Sequence, residues 1–162
     1  MKIARVLLAV LVVVTFGFLV GCDQLNAVTG SQIIGSVVST LWVQGGVPYH
    51  VVLYAAGTFM DPYSDYATAP QAASVEGTFP GSTTDTSDTV NYQFDNVPAG
   101  EYSLFAWVDV DGNGLFDSNY DLFGFYFGNP SVINTAQPLA PNVLVPEKSI
   151  VDVDVWVDYH VS

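Results

Sequence analysis

From Ile150 to His160 the chain alternates residue by residue. Val151, Val153, Val155, Val157 and Tyr159 share one parity; Asp152, Asp154, Trp156, Asp158 and His160 share the other. A period of two puts one face of a strand in a core and the other in water. The outer carboxylates also discourage edge-to-edge pairing. Shorter β-branched and aromatic runs precede this one: Ile33 to Val43, Tyr49 to Ala55, Val90 to Phe94, Glu101 to Asp109 and Leu122 to Phe127. Gly45-Gly46, Asp95-Asn96-Val97-Pro98-Ala99-Gly100 and Gly128-Asn129-Pro130 punctuate them as turns. No stretch of the chain after residue 21 shows a convincing helical period. The pattern predicts an all-β protein, a single antiparallel β-sandwich of Ig-like type. Residues 56–89 are too long for a structureless loop in a compact domain. A short strand is expected near Ala73 to Phe79, and a surface loop over Gly81 to Thr89.

The front of the chain follows a different rule. Lys2 and Arg5 precede an apolar run from Val6 to Val20, and sixteen of the first 21 residues are hydrophobic. A basic n-region and an h-region of this length read as an export signal. The run is short for a span of about 20 apolar residues. It ends in Leu19-Val20-Gly21-Cys22, which resembles the lipobox of bacterial lipoproteins. That resemblance implies that Cys22 becomes the lipid-modified first residue of the mature protein. The plain alternative is a signal peptide followed by a chance cysteine. The expected organisation is a signal over 1–21, a small polar tether over 22–32, and a β-sandwich domain over 33–162. The expected location is outside the cytoplasm, periplasmic or on the cell surface, with the lipid on Cys22 as membrane anchor. Asp23 follows that cysteine, a position that influences membrane sorting in enteric bacteria and is elsewhere simply part of a tether.

Charge narrows the partners. The 162 residues hold sixteen Asp+Glu against three Lys+Arg, for a formal charge of −13. Without Lys2 and Arg5, Lys148 is the single Lys or Arg against sixteen acids, a net charge of −15. Nucleic acid is excluded as a partner, because phosphate tracking needs basic surface. Arginine clamps on anionic substrates are excluded with it. A lone cysteine excludes a disulfide within the chain.

The strongest chemical signal is Asp109-Val110-Asp111-Gly112-Asn113-Gly114-Leu115-Phe116-Asp117. Oxygen side chains recur at alternate positions, as in an EF-hand-type calcium loop. Calcium takes about six to eight oxygens, and alternate residues on a tight coil converge on one point. Asp109, Asp111, Asn113 and Asp117 would offer side-chain oxygens, Leu115 its carbonyl, and Gly114 the sharp turn. The twelfth position departs from the pattern: it is Tyr120 rather than Glu, and Asp121 is the candidate substitute. The flanks read as strands, so this would be a calcium loop on a β domain rather than a helical switch. Magnesium fits less well because it demands tighter octahedral geometry, and zinc lacks a Cys/His cluster. The competing reading is an Asx/Gly-rich hairpin without metal.

A second motif, Phe94-Asp95-Asn96-Val97-Pro98-Ala99-Gly100-Glu101-Tyr102, resembles the F-x-x-V-P-x-G-x-Y step of transthyretin-like and carboxypeptidase regulatory-like β-sandwich domains. In those domains the turn leads into a Tyr-x-Leu strand, here Tyr102-Ser103-Leu104. The resemblance spans Ile33 to about Val161. It implies an accessory or adhesive module rather than a catalyst. The purine-pathway hydrolysis of some transthyretin-like proteins needs His and Arg, and residues 22–162 have no Arg.

His50 and His160 are the only histidines; both read as polar-face strand residues. Aromatics make up 14% of the chain. Along Tyr102 to Val108, Tyr102, Leu104, Ala106 and Val108 share one face, and Ser103, Phe105 and Trp107 the other. Trp156, Phe125, Tyr126 and Phe127 are candidate sugar-stacking residues, with core packing as the alternative. The sequence therefore leads to a calcium-binding, lipid-anchored sandwich with a structural or binding role and no enzymatic activity. A carbohydrate-binding module of the cell envelope is the alternative; possible partners are a glycan or an envelope protein. A hydrolase with paired carboxylates is the third class, and nothing marks any pair as special.

Overall fold

The computed structural model describes residues 30–81, 87–126 and 143–158. Among these residues nine strands form: β1 Ser31–Ser39, β2 Pro48–Ala55, β3 Gln71–Thr78, β4 Asp88–Val97, β5 Gly100–Val108, β6 Leu122–Phe125, β7 Val143–Val145, β8 Ile150–Asp152 and β9 Val155–Val157. One helical turn, α1, spans Pro62–Asp65. The strands make two packed sheets, an all-β sandwich. One sheet runs β4-β1-β8, with β9 also on β1; the other runs β3-β2-β5-β6, with β7 also on β5. Between them Ile33, Val37, Val51, Leu53, Leu104, Ala106, Val108, Val153, Val155 and Val157 form the core.

The alternation read from the sequence holds along the C-terminal strand, with two differences. Its inner side chains Val153, Val155 and Val157 are buried, and Trp156 is exposed. The first difference is direction. Residues 150–152 and 155–157 pair with β1 in parallel, while β1–β4, β2–β3 and β2–β5 are antiparallel. The second is an interruption at Val153-Asp154. The register is the same on both sides, Ile34 opposite Asp152 and Val37 opposite Val155. At the gap the Ser36 N–H donates to Asp154 Oδ1 at 2.8 Å. The Val153 carbonyl accepts the Tyr92 hydroxyl instead. Gly35 makes room: a Cβ there would collide with the Val153 carbonyl and crowd the Tyr92 hydroxyl. Tyr159 and His160 lie outside the described residues.

Other bounds shift by a few residues. β1 begins at Ser31, two residues ahead of the expected tether boundary, because Ser31 is tied to the turn after β7. Its hydroxyl takes the Ser149 N–H at 3.1 Å, and the Gln32 N–H donates to the Ser149 carbonyl at 2.8 Å. β1 also stops at Ser39 rather than Val43. The strand expected near Ala73 is β3, and β4 starts inside the expected loop at Asp88. Residues 82–86 of that loop lie outside the described residues, as do Cys22 and the rest of 1–29.

Strand β5 is buried on both faces. The outer side of its sheet carries Val52, Tyr54, Phe105, Trp107 and Phe123, covered by Phe59 and Phe116, with Tyr66, Ala69 and Phe125 packed around them. Residues 57–70 supply part of the cover. They are braced by the Asp65 carboxylate, which accepts the N–H groups of Met60 and Asp61 at 2.8 and 2.9 Å. Phe105 sits at the middle of this second core, stacked on Phe125 and edge-on to Phe116 and Phe123.

Candidate metal centre

The acidic hairpin joins β5 to β6. Gly112 and Gly114 hold φ values of 71° and 77°, a left-handed conformation that glycine adopts without strain. They let the chain coil back so that carboxylates meet backbone donors. Asp109 Oδ1 accepts the Asn113 N–H at 3.1 Å, and Oδ2 accepts the Gly114 N–H at 2.9 Å. The alternate side chains each brace the residue two positions on. Asp111 Oδ1 accepts from Asn113, Asn113 Oδ1 from Leu115, and Asp117 Oδ1 from Asn119. These are Asx turns in series, the local reason that the alternation folds into a coil.

Asp121 closes the hairpin. A turn from Asp117 brings it round, with the Asp121 N–H on the Asp117 carbonyl at 2.8 Å. Its Oδ1 accepts the Val110 N–H at 2.9 Å and its Oδ2 the Asp117 N–H at 2.8 Å. Thus one fully buried carboxylate clasps both arms of the loop. Tyr120, which holds the twelfth position of the loop spacing, points to solvent at 60% exposure.

Asp109, Asp111 and Asp121 each offer a carboxylate oxygen within 4.8 Å of the others. Asp109 and Asp121 are buried, and Asp111 is exposed. Asp117 lies outside this group of three, and its Oδ1 also accepts the Asn119 side-chain amide at 3.0 Å. The Leu115 side chain is exposed, which leaves its backbone as the part relevant to a ligand. Burial pushes the Asp121 carboxyl above its ordinary value. The Asp117 and Val110 N–H groups pull it back, and the charges of Asp109 and Asp111 add to the rise. Lys148 is the single Lys or Arg among the described residues. It lies after β7, which pairs with the Gly100–Tyr102 end of β5, while the hairpin leaves the other end. Nine residues of strand separate the two ends, about 30 Å at the usual rise.

The donor set is chemically suited to a hard cation. It is all oxygen, and each carboxylate oxygen that accepts one N–H retains a second lone pair. Asn113 Oδ1 keeps one as well.

Sequence reasoning missed the part of the hairpin that anchors it. Phe116 is buried edge-on against Phe105, Phe123 and Tyr66, with centroids 5.2, 5.0 and 5.1 Å away. The signal was present as an aromatic between Leu115 and Asp117, at a position that supplies no ligand in the loop spacing.

The four candidate sugar-stacking aromatics are distributed rather than gathered. Trp156 is 41% exposed on β9. One face of Phe125 is taken by Phe105, with centroids 5.0 Å apart. Tyr126 packs against the inter-sheet core, and Phe127 lies outside the described residues. Compared with protein-family models, with curated proteins and with solved structures, the chain matches none of them.

Proposed function

We propose that this protein is a lipid-anchored, extracytoplasmic β-sandwich whose acidic hairpin binds calcium, with a structural or binding role rather than a catalytic one. The reading is carried by the convergence of Asp109, Asp111 and Asp121 on one point far from any Lys or Arg among the described residues. Asp109 directly follows β5 and Asp121 directly precedes β6, so these carboxylates would hold the ion between two adjacent strands. Asn113, Asp117 and the Leu115 carbonyl would complete the oxygen set. A bound calcium ion supplies two positive charges to three carboxylates that otherwise repel one another. The chain contributes preorganisation: backbone N–H groups hold Asp109 and Asp121 in place before any ion arrives. An ion here would give an exported domain the cross-link that many such domains obtain from disulfides.

Isothermal titration of chelator-stripped protein tests the site. Calcium should bind at one site with greater affinity than magnesium, and Asp109→Asn should abolish binding. An absence of heat and of any change in melting temperature on adding calcium would refute it. The anchor is tested separately. Cys22→Ser should move the protein from the membrane fraction to the soluble exported fraction; an unchanged distribution would remove the lipid from the account.

A further inference from the structure

The two sheets are joined along one side and part along the other. On the joined side the Phe123 N–H donates to the Asp158 carbonyl at 3.1 Å, and the Asp158 N–H to the Phe123 carbonyl at 3.2 Å. On the other side β3 and β4 end their sheets. Tyr49 passes over Gly77 of β3, where a Cβ would meet its ring, and its hydroxyl donates to the Asn91 carbonyl of β4 at 3.2 Å. That bond occupies an acceptor on the edge of β4. The edge of β3 has no such cap among the described residues.

The phase of the ladder fixes which groups β3 turns outward. The Val47 carbonyl accepts the Phe79 N–H at 2.9 Å, and the Pro48 carbonyl accepts the Asp109 N–H at 3.0 Å. Antiparallel ladders alternate, so odd-numbered residues of β2 bond towards β3 and even-numbered ones towards β5. Tyr49 lies opposite Gly77 and Val51 opposite Val75. The N–H and C=O groups of Val75 and Gly77 therefore face β2. Those of Ser74, Glu76 and Thr78 face outward, and none has a backbone partner among the described residues. Such edges are normally guarded by proline, lysine or a bulge. From Ala73 to Thr78 there is no proline, no lysine and no register shift.

Charge selects what would pair there. Glu76 is the single charged residue of β3, and its side chain is 80% exposed. His50 Nδ1 lies 3.7 Å from it, beyond hydrogen-bonding distance. A second copy of this chain would bring its own Glu76 and another formal charge of −13. An acidic segment would meet the same repulsion. A Lys or Arg opposite Glu76 makes a favourable cross-strand pair instead. Ser74 and Thr78 are short, which leaves room beside them for long basic side chains. On the inner face Ala73 and Val75 are half-buried against the core, so the alternate residues of an added strand would be apolar. We propose that the edge of β3 is a docking site for an extended segment of another protein, basic on its outer face and apolar on its inner one. Backbone hydrogen bonds to Ser74, Glu76 and Thr78 supply affinity, and Glu76 supplies the charge preference. The site does not rest on the metal reading.

Amide NMR titration of the purified protein at about 0.15 M salt tests this. The probe is a capped peptide of alternating valine and lysine, with a valine–glutamate peptide as control. The lysine peptide should bind with a Kd below about 1 mM and shift the amides of Ser74, Glu76 and Thr78. In an antiparallel register the lysine N–H groups face β3. N-methylation of the lysines should therefore abolish binding, and N-methylation of the valines should not. Ser74→Pro removes an outward donor and leaves the bonds to β2 intact; it should weaken binding about tenfold or more. Glu76→Gln should weaken it about two- to fivefold. If Ser74→Pro fails to fold, the methylated peptides and Glu76→Gln decide. Silence from the lysine peptide at about 2 mM, above the range expected, would overturn the proposal. So would equal binding of the glutamate peptide, or binding that survives methylation of the lysines. Self-association of the purified protein that Ser74→Pro removes would assign the edge to a second copy instead.

Discussion

His50 and Trp107 form a stacked pair across β2 and β5, with ring planes 12° apart and centroids separated by 4.1 Å. Glu76 adds its carboxylate 3.7 Å from His50 Nδ1. Burial against the indole lowers the His50 pKa below its ordinary 6.5, although the Glu76 and Asp109 charges pull it upward. The folded protein therefore binds fewer protons at His50 than the unfolded chain does, over the window between the lowered value and 6.5. Stability from this residue rises with pH through that window and is lost as pH falls below it. Urea melts between pH 7 and 5.5 should show this slope, and His50→Phe, which keeps a ring on Trp107, should flatten it. An identical slope in the variant would place the titration elsewhere.

Asp121 has the opposite sign. Its raised pKa means that the folded state holds the proton more tightly than the unfolded chain, above the ordinary 3.8. In chelator, its contribution should fall as pH rises through the raised value. With calcium present, protons compete with the ion, so stability should instead rise over the same range. Asp121→Asn should remove both trends. Parallel pH profiles with and without calcium would contradict this.

Calcium in excess should raise the melting temperature. At about 100 times Kd the linkage is worth about 2.7 kcal/mol, which for a domain of this size is roughly 10 °C. Differential scanning calorimetry after chelation and re-addition measures it. Asp109→Asn should melt at the same temperature in both conditions.

Phe116→Ala should lower stability by about 3–5 kcal/mol, as for other buried aromatic truncations, because it hollows the second core and loosens the hairpin together. Trp156→Ala, at an exposed position, should stay within about 0.5 kcal/mol. Chemical denaturation of the two variants side by side gives the comparison. Equal effects would mean that the outer face of the β5 sheet is not a core.

Gly35 and Gly124 mark close backbone approaches. A Cβ on Gly124 would meet the Trp156 carbonyl, where β6 passes β9, as a Cβ on Gly35 would meet Val153. Either alanine substitution should destabilise by about 1–3 kcal/mol or more, since backbone rather than a flexible side chain stands in the way. Thermal melts check both; a neutral Gly124→Ala would show that the strands can part freely there.

The strands that depend on local alternation were legible in the sequence. Tyr102 to Val108 divides its side chains between two faces as the pattern predicts. Alternation does not say what covers a face, however. Phe105 and Trp107 are buried because Phe59 and Phe116 arrive from segments with no period of their own. β7, only three residues long, carries too little pattern to be seen. The interruption at Val153 depends on Tyr92 and Ser36, far away in the chain, so nothing local announces it. In the hairpin, the spacing located Asp109 and Asp111, and Asp121 joins them rather than Tyr120. The turn from Asp117 to Asp121 sets that choice, and a linear spacing rule does not contain it.

β1 is the interior strand of its sheet, flanked by β4 on one side and by β8 and β9 on the other. The residues it meets on that second side are 118 positions later, as in the Ser36–Asp154 hydrogen bond. Closing so large a loop is slow, because chain entropy is lost before any contact compensates. Until residues 150–157 are available, β1 presents an open edge of unpaired N–H and C=O groups. Such an edge invites pairing with other chains. Folding of this sandwich is therefore expected to finish late. Its vulnerable stage is a nascent or truncated chain in which the first strand has formed and the last has yet to arrive.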